Sequence, residues 1–136
     1  MARRIPNGRT RGFTFVELMV VITIIVILIT MAIPIYNKTI IRSKESVLKT
    51  NLFTLRTVID NYTYDKMKAP ATLQDLVSEG YLRDVPVDPM TGSNQTWQII
   101  MEPPGSGVDQ SNPGIFDVKS GSEKTSPLEG TAYGEW

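Results

Sequence analysis

The chain has 136 residues, with 14 basic and 14 acidic residues, and it contains no histidine and no cysteine. A chain of this length suffices for one modest domain and leaves no room for a second. Without histidine it lacks the commonest general base, and without cysteine it has no thiol nucleophile and no disulfide; both are also the usual zinc ligands. We therefore predict no catalytic residues and no enzyme activity. We also predict no cofactor-binding residues other than a metal site.

The first twelve residues form a basic, acid-free head that ends at Gly12. Four of the 14 basic residues lie in it, namely Arg3, Arg4, Arg9 and Arg11. A chain without this head keeps ten basic against 14 acidic residues, a net charge of about −4. That balance argues against a nucleic-acid partner.

Residues 13–33 form the only apolar stretch of membrane length in the sequence. Every residue in it is apolar except Thr14, Glu17, Thr23 and Thr30. As a helix it spans roughly 30 Å, which is enough for a bilayer core. A secretory signal has its small-residue cleavage site after the apolar run, whereas here a glycine precedes the run. We therefore expect the run to be retained as a transmembrane helix.

Glu17 is an acidic residue inside this apolar run. A carboxylate within a transmembrane helix costs about 2.5–3.5 kcal/mol on insertion scales, so such a residue usually has a partner. The first turn of a helix lies near the positive end of its macrodipole, which offsets part of that cost. Two interpretations remain open: Glu17 binds a positive group of a neighbouring subunit, or it lies at headgroup depth and extends its carboxylate into water.

Residues 34–66 are predicted to continue as an amphipathic stalk helix. Pro34 removes one backbone hydrogen bond and frees the carbonyl of Thr30, so it predicts a local weak point or kink. Beyond Pro34, apolar residues recur mostly three or four positions apart with basic residues between them, as on a helix with one buried face. These apolar residues are Tyr36, Ile40, Val47, Leu48, Leu52, Leu55, Val58, Ile59 and Tyr62.

Residues 67–136 are predicted to form a globular domain with a short helix, a small antiparallel sheet and a C-terminal loop. Ala69-Pro70 ends the long helix, and Thr72 followed by Asp75 predicts the start of a short helix that ends near Gly80.

Two strands are predicted at 96–102 and 114–119, separated by a loop rich in proline and glycine. Their core candidates are Trp97, Ile99, Phe116 and Val118. The fold class that follows is α+β.

The basic head, Gly12, Phe13, Thr14 and a glutamate four positions after Phe13 resemble the class III leader of type IV pilins and type II secretion pseudopilins. In that family a membrane aspartyl peptidase cuts after the glycine and methylates the new N-terminal phenylalanine. The matching glutamate pairs with the N-terminal amine of a neighbouring subunit during filament assembly. The resemblance thus implies that 1–12 is a cleaved leader, that Phe13 is N-methylated and that Glu17 serves assembly.

The resemblance also implies a fold in which a long transmembrane and stalk helix packs against a small antiparallel sheet. The family carries a proline at the place of Pro34, where the helix loosens in assembled filaments. Residues 71–92 are similar to the connection between helix and sheet in major pseudopilins.

In major pseudopilins a Ser-Gly-rich turn with one acid, and a second acid shortly before a final Gly-x-Trp, bind calcium through carboxylates and backbone carbonyls. Ser120, Glu123 and Glu129 fall at or near these places, so the resemblance implies a calcium site there. The commonest family pattern has aspartate, and an acid of that pattern nearer Trp136 is replaced here by Thr131 or Ala132. Calcium accepts roughly six to eight oxygen ligands in flexible geometry. The alternative is an acidic, solvated tail with Trp136 packed against the sheet.

Three function classes follow from these features. The favoured one is a major pseudopilin that polymerises into the periplasmic pseudopilus of a type II secretion system and drives export of folded proteins through an outer-membrane secretin. The alternative is a type IV pilin forming a surface pilus for adhesion, motility, DNA uptake or electron transfer. The third is a singly anchored periplasmic binding domain, or an anchored enzyme, that never polymerises and would have no use for a buried carboxylate at Glu17. Small size, absent cysteines and residues 71–92 favour the first over the second.

The resemblance implies a location and a set of partners. The chain is expected to cross the bacterial inner membrane once, with its C-terminal domain in the periplasm. The implied partners are other copies of the chain in a helical homopolymer, minor pseudopilins, the prepilin peptidase, and an inner-membrane assembly platform with a cytoplasmic ATPase.

Overall fold

A computed structural model describes residues 11–136 of the chain. Two α-helices, two strands and a single 3-10 turn follow in order: α1 at Phe15–Lys66, α2 at Leu73–Ser78, β1 at Gln98–Met101, β2 at Ile115–Lys119, and the 3-10 turn at Tyr133–Glu135. The chain divides into two compact units at Thr39/Ile40. Residues 1–10 of the predicted leader, with Arg3, Arg4 and Arg9, lie outside the described residues.

The described part of the first unit carries the apolar run. Its side chains are exposed throughout within the single chain, and α1 contains a window of mean hydropathy 3.0 that is long enough to cross a membrane. Two threonine side chains of this run are satisfied locally, since the hydroxyl of Thr23 donates to the carbonyl of Met19 and that of Thr30 to the carbonyl of Ile27. Such internal bonding is what a helix needs in lipid.

The core of the second unit is built on one face of α1. The buried residues of this face are Glu45, Leu48, Leu52, Leu55, Ile59 and Tyr62, spaced three or four apart. They pack against apolar side chains from the rest of the unit, among them Leu73, Leu76, Val85, Trp97, Ile115, Val118 and Tyr133. Of the nine apolar residues predicted for this face, five therefore lie in the core together with Glu45. Tyr36, Ile40 and Val47 are exposed, and Val58 is half-buried.

Helix α2 has the predicted boundaries at both ends. The hydroxyl of Thr72 accepts from the Asp75 amide and the Asp75 carboxylate accepts from the Thr72 amide, which is the reciprocal capping box. At the other end Gly80 has a φ of 82°, and the amides of Gly80 and Tyr81 donate to the carbonyls of Val77 and Leu76. This pair of bonds closes the helix in a Schellman motif.

Strands β1 and β2 form an antiparallel two-stranded sheet with an irregular register. Ile100 pairs with Asp117 and Met101 with Ile115, so Phe116 is an extra residue without a partner. This is a β-bulge, and it breaks the alternation of side chains along β2.

Half of the predicted strand core is wrong, and the bulge explains one of the two wrong residues. Trp97 and Val118 are buried as predicted. Phe116 is 64 % exposed, because the bulge places Ile115 and Val118 in the core and turns Phe116 away from it. Ile99 is 44 % exposed. All four residues of β1 are exposed, so neither side of this strand faces the core.

Candidate functional site

The junction at Gly12 and Phe13 lies in a short non-helical segment just before α1. Residues 11–14 have no regular secondary structure and are exposed, and α1 begins at Phe15. An exposed backbone without helical hydrogen bonds is accessible to a peptidase. Within the described residues, the peptide bond predicted to be cut therefore lies outside the helix that follows it.

Thr14 caps the start of α1. Its hydroxyl oxygen accepts a hydrogen bond of 3.2 Å from the amide of Glu17, and its carbonyl accepts from the amide of Leu18. This is the N-cap arrangement, in which a threonine side chain satisfies one of the free amides of the first turn. Because Thr14 follows Phe13, the cap would be kept after cleavage between Gly12 and Phe13.

Glu17 lies in the first turn of α1 and is exposed. Among the described residues, no lysine or arginine forms an ion pair with its carboxylate. A carboxylate at the positive end of a helix dipole, within an apolar surface, has the geometry of an acceptor for an amine brought by another molecule.

Pro34 lies inside α1, and the helix continues through it. Its ring nitrogen has no proton to donate, so the bond to the carbonyl of Thr30 is missing at this point. The predicted kink stays a prediction.

The three residues predicted to bind calcium are held in different ways. The hydroxyl of Ser120 is buried and donates to the carboxylate of Asp88 at 2.6 Å. The carboxylate of Glu129 forms a salt bridge with Lys49. Glu123 is exposed. In the part of the chain that the structure describes, no three Asp or Glu side chains converge on one point.

This donor set does not fit a calcium ion at Ser120, Glu123 and Glu129. The Glu129 carboxylate already lies on an ammonium group, whose positive charge repels a divalent cation. The hydroxyl proton of Ser120 points to another carboxylate. Every buried side-chain nitrogen and oxygen of the described residues has a hydrogen-bond partner within the chain.

The tail, residues 119–136, is attached to α1 by three charged side chains, Glu45, Lys49 and Arg56, which we call the tail anchor. Glu45 is only 5 % exposed. One of its carboxylate oxygens accepts hydrogen bonds from the hydroxyl of Ser126 at 2.6 Å and from the phenol of Tyr133 at 2.8 Å. Burial raises the pKa of Tyr133 to about 12, and the hydrogen bond to Glu45 acts in the same direction.

The other two side chains of the tail anchor contact the tail and the end of β2. Besides its salt bridge to Glu129, Lys49 has its ammonium 4.6 Å from the ring centre of Trp136, a cation–π contact. Arg56 donates to the carboxylate of Asp117 at 2.7 Å and to the main-chain oxygens of Val118 at 3.1 Å and Trp136 at 2.5 Å. One guanidinium thus joins the helix, the sheet and the tail.

Comparison with known proteins gives a match to the prokaryotic N-terminal methylation motif over residues 7–33. This range contains Gly12, Phe13 and Glu17. Type IV pilin-like proteins have the same features, namely this motif, a long apolar N-terminal helix and a small antiparallel sheet.

The chain is similar to type IV pilin-like proteins. It is 48 % identical over 60 residues to the type IV major pilin protein PilA of Myxococcus xanthus, an alignment that covers 44 % of this chain and 27 % of that pilin. It is 30 % identical over 94 residues to the type II secretion system core protein G of Pseudomonas aeruginosa, covering 57 % of this chain and 66 % of that protein. The chain therefore spans about a quarter of one relative and just under two thirds of the other. No solved structure matches it.

The N-terminal helix is a transmembrane helix, by its length, its composition and its methylation motif. The homologues are pilin or pseudopilin subunits rather than enzymes.

The pilin-like protein also has a buried carboxylate in the segment 71–92, at Asp88. Asp88 is fully buried and accepts hydrogen bonds from the amides of Met90 and Gly121 and from the hydroxyl of Ser120. Its own amide bonds to the carbonyl of Ser93. Asp88 therefore fixes the start of the tail to the loop that precedes β1.

Sequence reasoning missed Glu45, Asp88 and the role of Arg56. For Glu45 a signal existed, since it lies three residues before Leu48 on the apolar stripe of α1, where a charged residue needs a buried partner. Asp88 precedes a proline in a loop, a pattern also typical of exposed turns. Arg56 has the spacing of an ordinary solvated charge.

Proposed function

We propose that this pilin-like protein is a structural subunit that polymerises, through its N-terminal helix, into the periplasmic pseudopilus of a type II secretion system. The observation that carries the proposal is Glu17, an acid in the capped first turn of an apolar helix, four residues after a Phe at an exposed processing site. A filament gives this carboxylate a partner, because each new subunit brings an N-terminal amine.

The mechanism begins with processing. Prepilin peptidase cuts between Gly12 and Phe13 and methylates the new amine, which removes the arginine-rich head and leaves Phe13 as the first residue. The released amine is positively charged and lies at the end of an apolar helix. Glu17 of one subunit then pairs with the Phe13 amine of its neighbour, and the pair offsets the cost of placing a carboxylate in lipid.

Repetition of this contact builds the filament. The same surface patch cannot serve both partners of a Glu17–Phe13 pair, so the contact is head-to-tail and gives an open helix of subunits. The apolar side chains of the first unit are exposed in the single chain, and neighbouring helices would cover them in a filament core. The subunit waits in the inner membrane with its domain in the periplasm, and the platform, its ATPase and minor pseudopilins add it to the growing fibre.

The two relatives support different candidates: the secretion-system core protein supports the pseudopilus, and the pilin supports the surface pilus. The alignment to the secretion-system core protein is longer and covers a larger share of both proteins than the alignment to the pilin, while the pilin alignment has the higher identity. The absence of cysteine means that no disulfide closes the C-terminal loop, as one does in many type IV pilins. The pilin identity of 48 % keeps a type IV surface pilus as the second candidate.

Substitution of Glu17 tests the assembly step. Glu17→Ala and Glu17→Gln should leave membrane insertion and the domain fold intact, while filaments, seen by electron microscopy or by cross-linking of neighbouring subunits, are lost. Thr14→Ala is the matched control: it removes the cap of the same helical turn but keeps the carboxylate. Filaments from the Glu17 variants, or equal loss in Thr14→Ala, would contradict a role for the charge.

Deletion of the gene in its own host separates the two candidates. Loss of folded proteins from the culture medium with surface fibres unchanged supports the pseudopilus. Loss of surface fibres with secretion unchanged supports the pilus. Mass spectrometry of the membrane-extracted subunit tests processing, with N-methylphenylalanine at Phe13 as the expected start.

A further inference from the structure

We infer that the tail of this protein is held by side chains of α1 instead of a calcium ion, so that folding of the domain and protection of residues 119–136 are independent of calcium. The inference rests on the pilin-like fold, for which a calcium-bound tail was expected, and does not depend on filament formation.

The charges at the predicted calcium site favour side chains of α1 over a calcium ion. A calcium site needs carboxylate oxygens that are free to coordinate. The Glu129 carboxylate instead neutralises Lys49, whose ammonium also lies against the ring of Trp136. The cation at this place is therefore part of the chain, and a second cation would have to displace it.

The buried end of the contact is complete without a metal. Glu45 accepts two hydrogen bonds through one oxygen, from Ser126 and Tyr133, which lie 81 and 88 residues away in sequence. Both donors belong to the tail, and both are buried. A buried carboxylate with two short, charge-assisted hydrogen bonds does what a metal bridge would do, since it joins two distant segments through one negatively charged group.

The tail closes on itself around these donors. The amide of Ser126 donates to the carbonyl of Thr131, the amide of Gly130 to the carbonyl of Ser126, and the amide of Tyr133 to the carbonyl of Lys124. Residues 124–133 thus form a loop closed by main-chain bonds, with the Ser126 and Tyr133 hydroxyls directed to Glu45. The start of the tail is fixed separately, by Ser120 and Asp88.

The first test uses the full chain as single subunits in detergent. Unfolding by urea, and cleavage within residues 119–136 by a protease, are measured in excess EDTA and in millimolar calcium chloride. We expect the same unfolding midpoint and the same cleavage rate in both. A ligand that binds only the folded state raises the midpoint, so a higher midpoint or slower tail cleavage in calcium would overturn the inference.

The second test uses variants in EDTA. Glu45→Gln weakens the two charge-assisted bonds and should speed cleavage within the tail by about tenfold or more. Glu123→Ala is the matched control, since it removes an exposed acid of the predicted calcium set, and it should cleave at the wild-type rate. If Glu45→Gln does not fold, Ser126→Ala takes its place, because it removes one donor and no charge.

The variant results decide the inference in either direction. Tail cleavage in Glu45→Gln at the wild-type rate would overturn it, as would calcium-dependent protection that Glu123→Ala or Glu129→Ala abolishes. Since no filament forms in these assays, their outcome is separate from that of the Glu17 variants, which tests the proposed function.

Discussion

Replacement of Glu45 by alanine tests how much the buried carboxylate contributes to stability. In the wild type, one oxygen of Glu45 accepts hydrogen bonds from Ser126 and Tyr133, and all three side chains are buried. A hydrogen bond to a charged group contributes roughly 1.5–3 kcal/mol, and a buried donor left without a partner costs about 1–3 kcal/mol. We therefore expect Glu45→Ala to lower the free energy of unfolding by about 3–5 kcal/mol.

Urea unfolding followed by tryptophan fluorescence measures this loss. Trp136 packs edge-on against Tyr133, with ring centres 5.1 Å apart, so its emission reports on the tail directly. For a domain of this size, a loss of about 3–5 kcal/mol corresponds to a shift of the urea midpoint of at least about 1 M. The expected loss is a large part of the roughly 5–15 kcal/mol by which small domains are stable.

A double-mutant cycle separates the hydrogen bond from the general effect of truncation. Tyr133→Phe removes one donor and should cost about 1–2 kcal/mol, and its coupling to Glu45→Ala should be about 1–3 kcal/mol. Replacement of Glu45, Ser126 and Tyr133 together by Leu, Ala and Phe should cost less than Glu45→Ala alone, because no unpaired polar group is left behind. A coupling within about 0.3 kcal/mol of zero, or a cost of Glu45→Ala below about 1 kcal/mol, would refute the reasoning.

Two further predictions concern the end of α1 and the response to alkaline pH. Met67 follows α1 in the left-handed conformation, with a φ of 53°. Met67→Gly should therefore raise the free energy of unfolding, measured with urea, by about 1 kcal/mol. A decrease in the free energy of unfolding would contradict the left-handed conformation. The pKa of Tyr133 is about 12 in the folded state against about 10 in the unfolded state, so the folded state keeps its proton longer. The contribution of Tyr133 to the free energy of unfolding is intact below about pH 10. It falls by up to about 1.4 kcal/mol per pH unit between about pH 10 and 12. Unfolding curves of wild type and Tyr133→Phe should converge over that range, and parallel curves would contradict the assignment.

Several parts of the fold follow from short stretches of sequence. The capping box at Thr72 and the Schellman motif at Gly80 involve residues that are close in the chain, and the start and the end of α2 at these residues were predicted. The apolar stripe of α1 was predicted because its period is a property of the helix itself. The methylation motif is likewise local, since its glycine, phenylalanine and glutamate lie within six residues.

The strand cores show where local pattern fails. Alternation placed Phe116 and Val118 on one face, which holds for a regular strand. The bulge at Phe116 arises from pairing with β1, and the sequence of β2 alone gives no sign of it. Only the register between the two strands decides that Ile115, and not Phe116, enters the core.

By itself, the sequence of this protein determined a membrane-spanning helix with one acid in its first turn, and it predicts a processed N-terminus and an amphipathic stalk, because each depends on residues within a few helical turns. How the tail is attached was decided by tertiary structure alone. Glu45 meets Ser126 and Tyr133 across more than 80 residues, and Lys49 meets Glu129 across 80. Contacts between distant residues leave no periodic pattern, since a charge that will be buried against a partner has the same local spacing as one that stays in water.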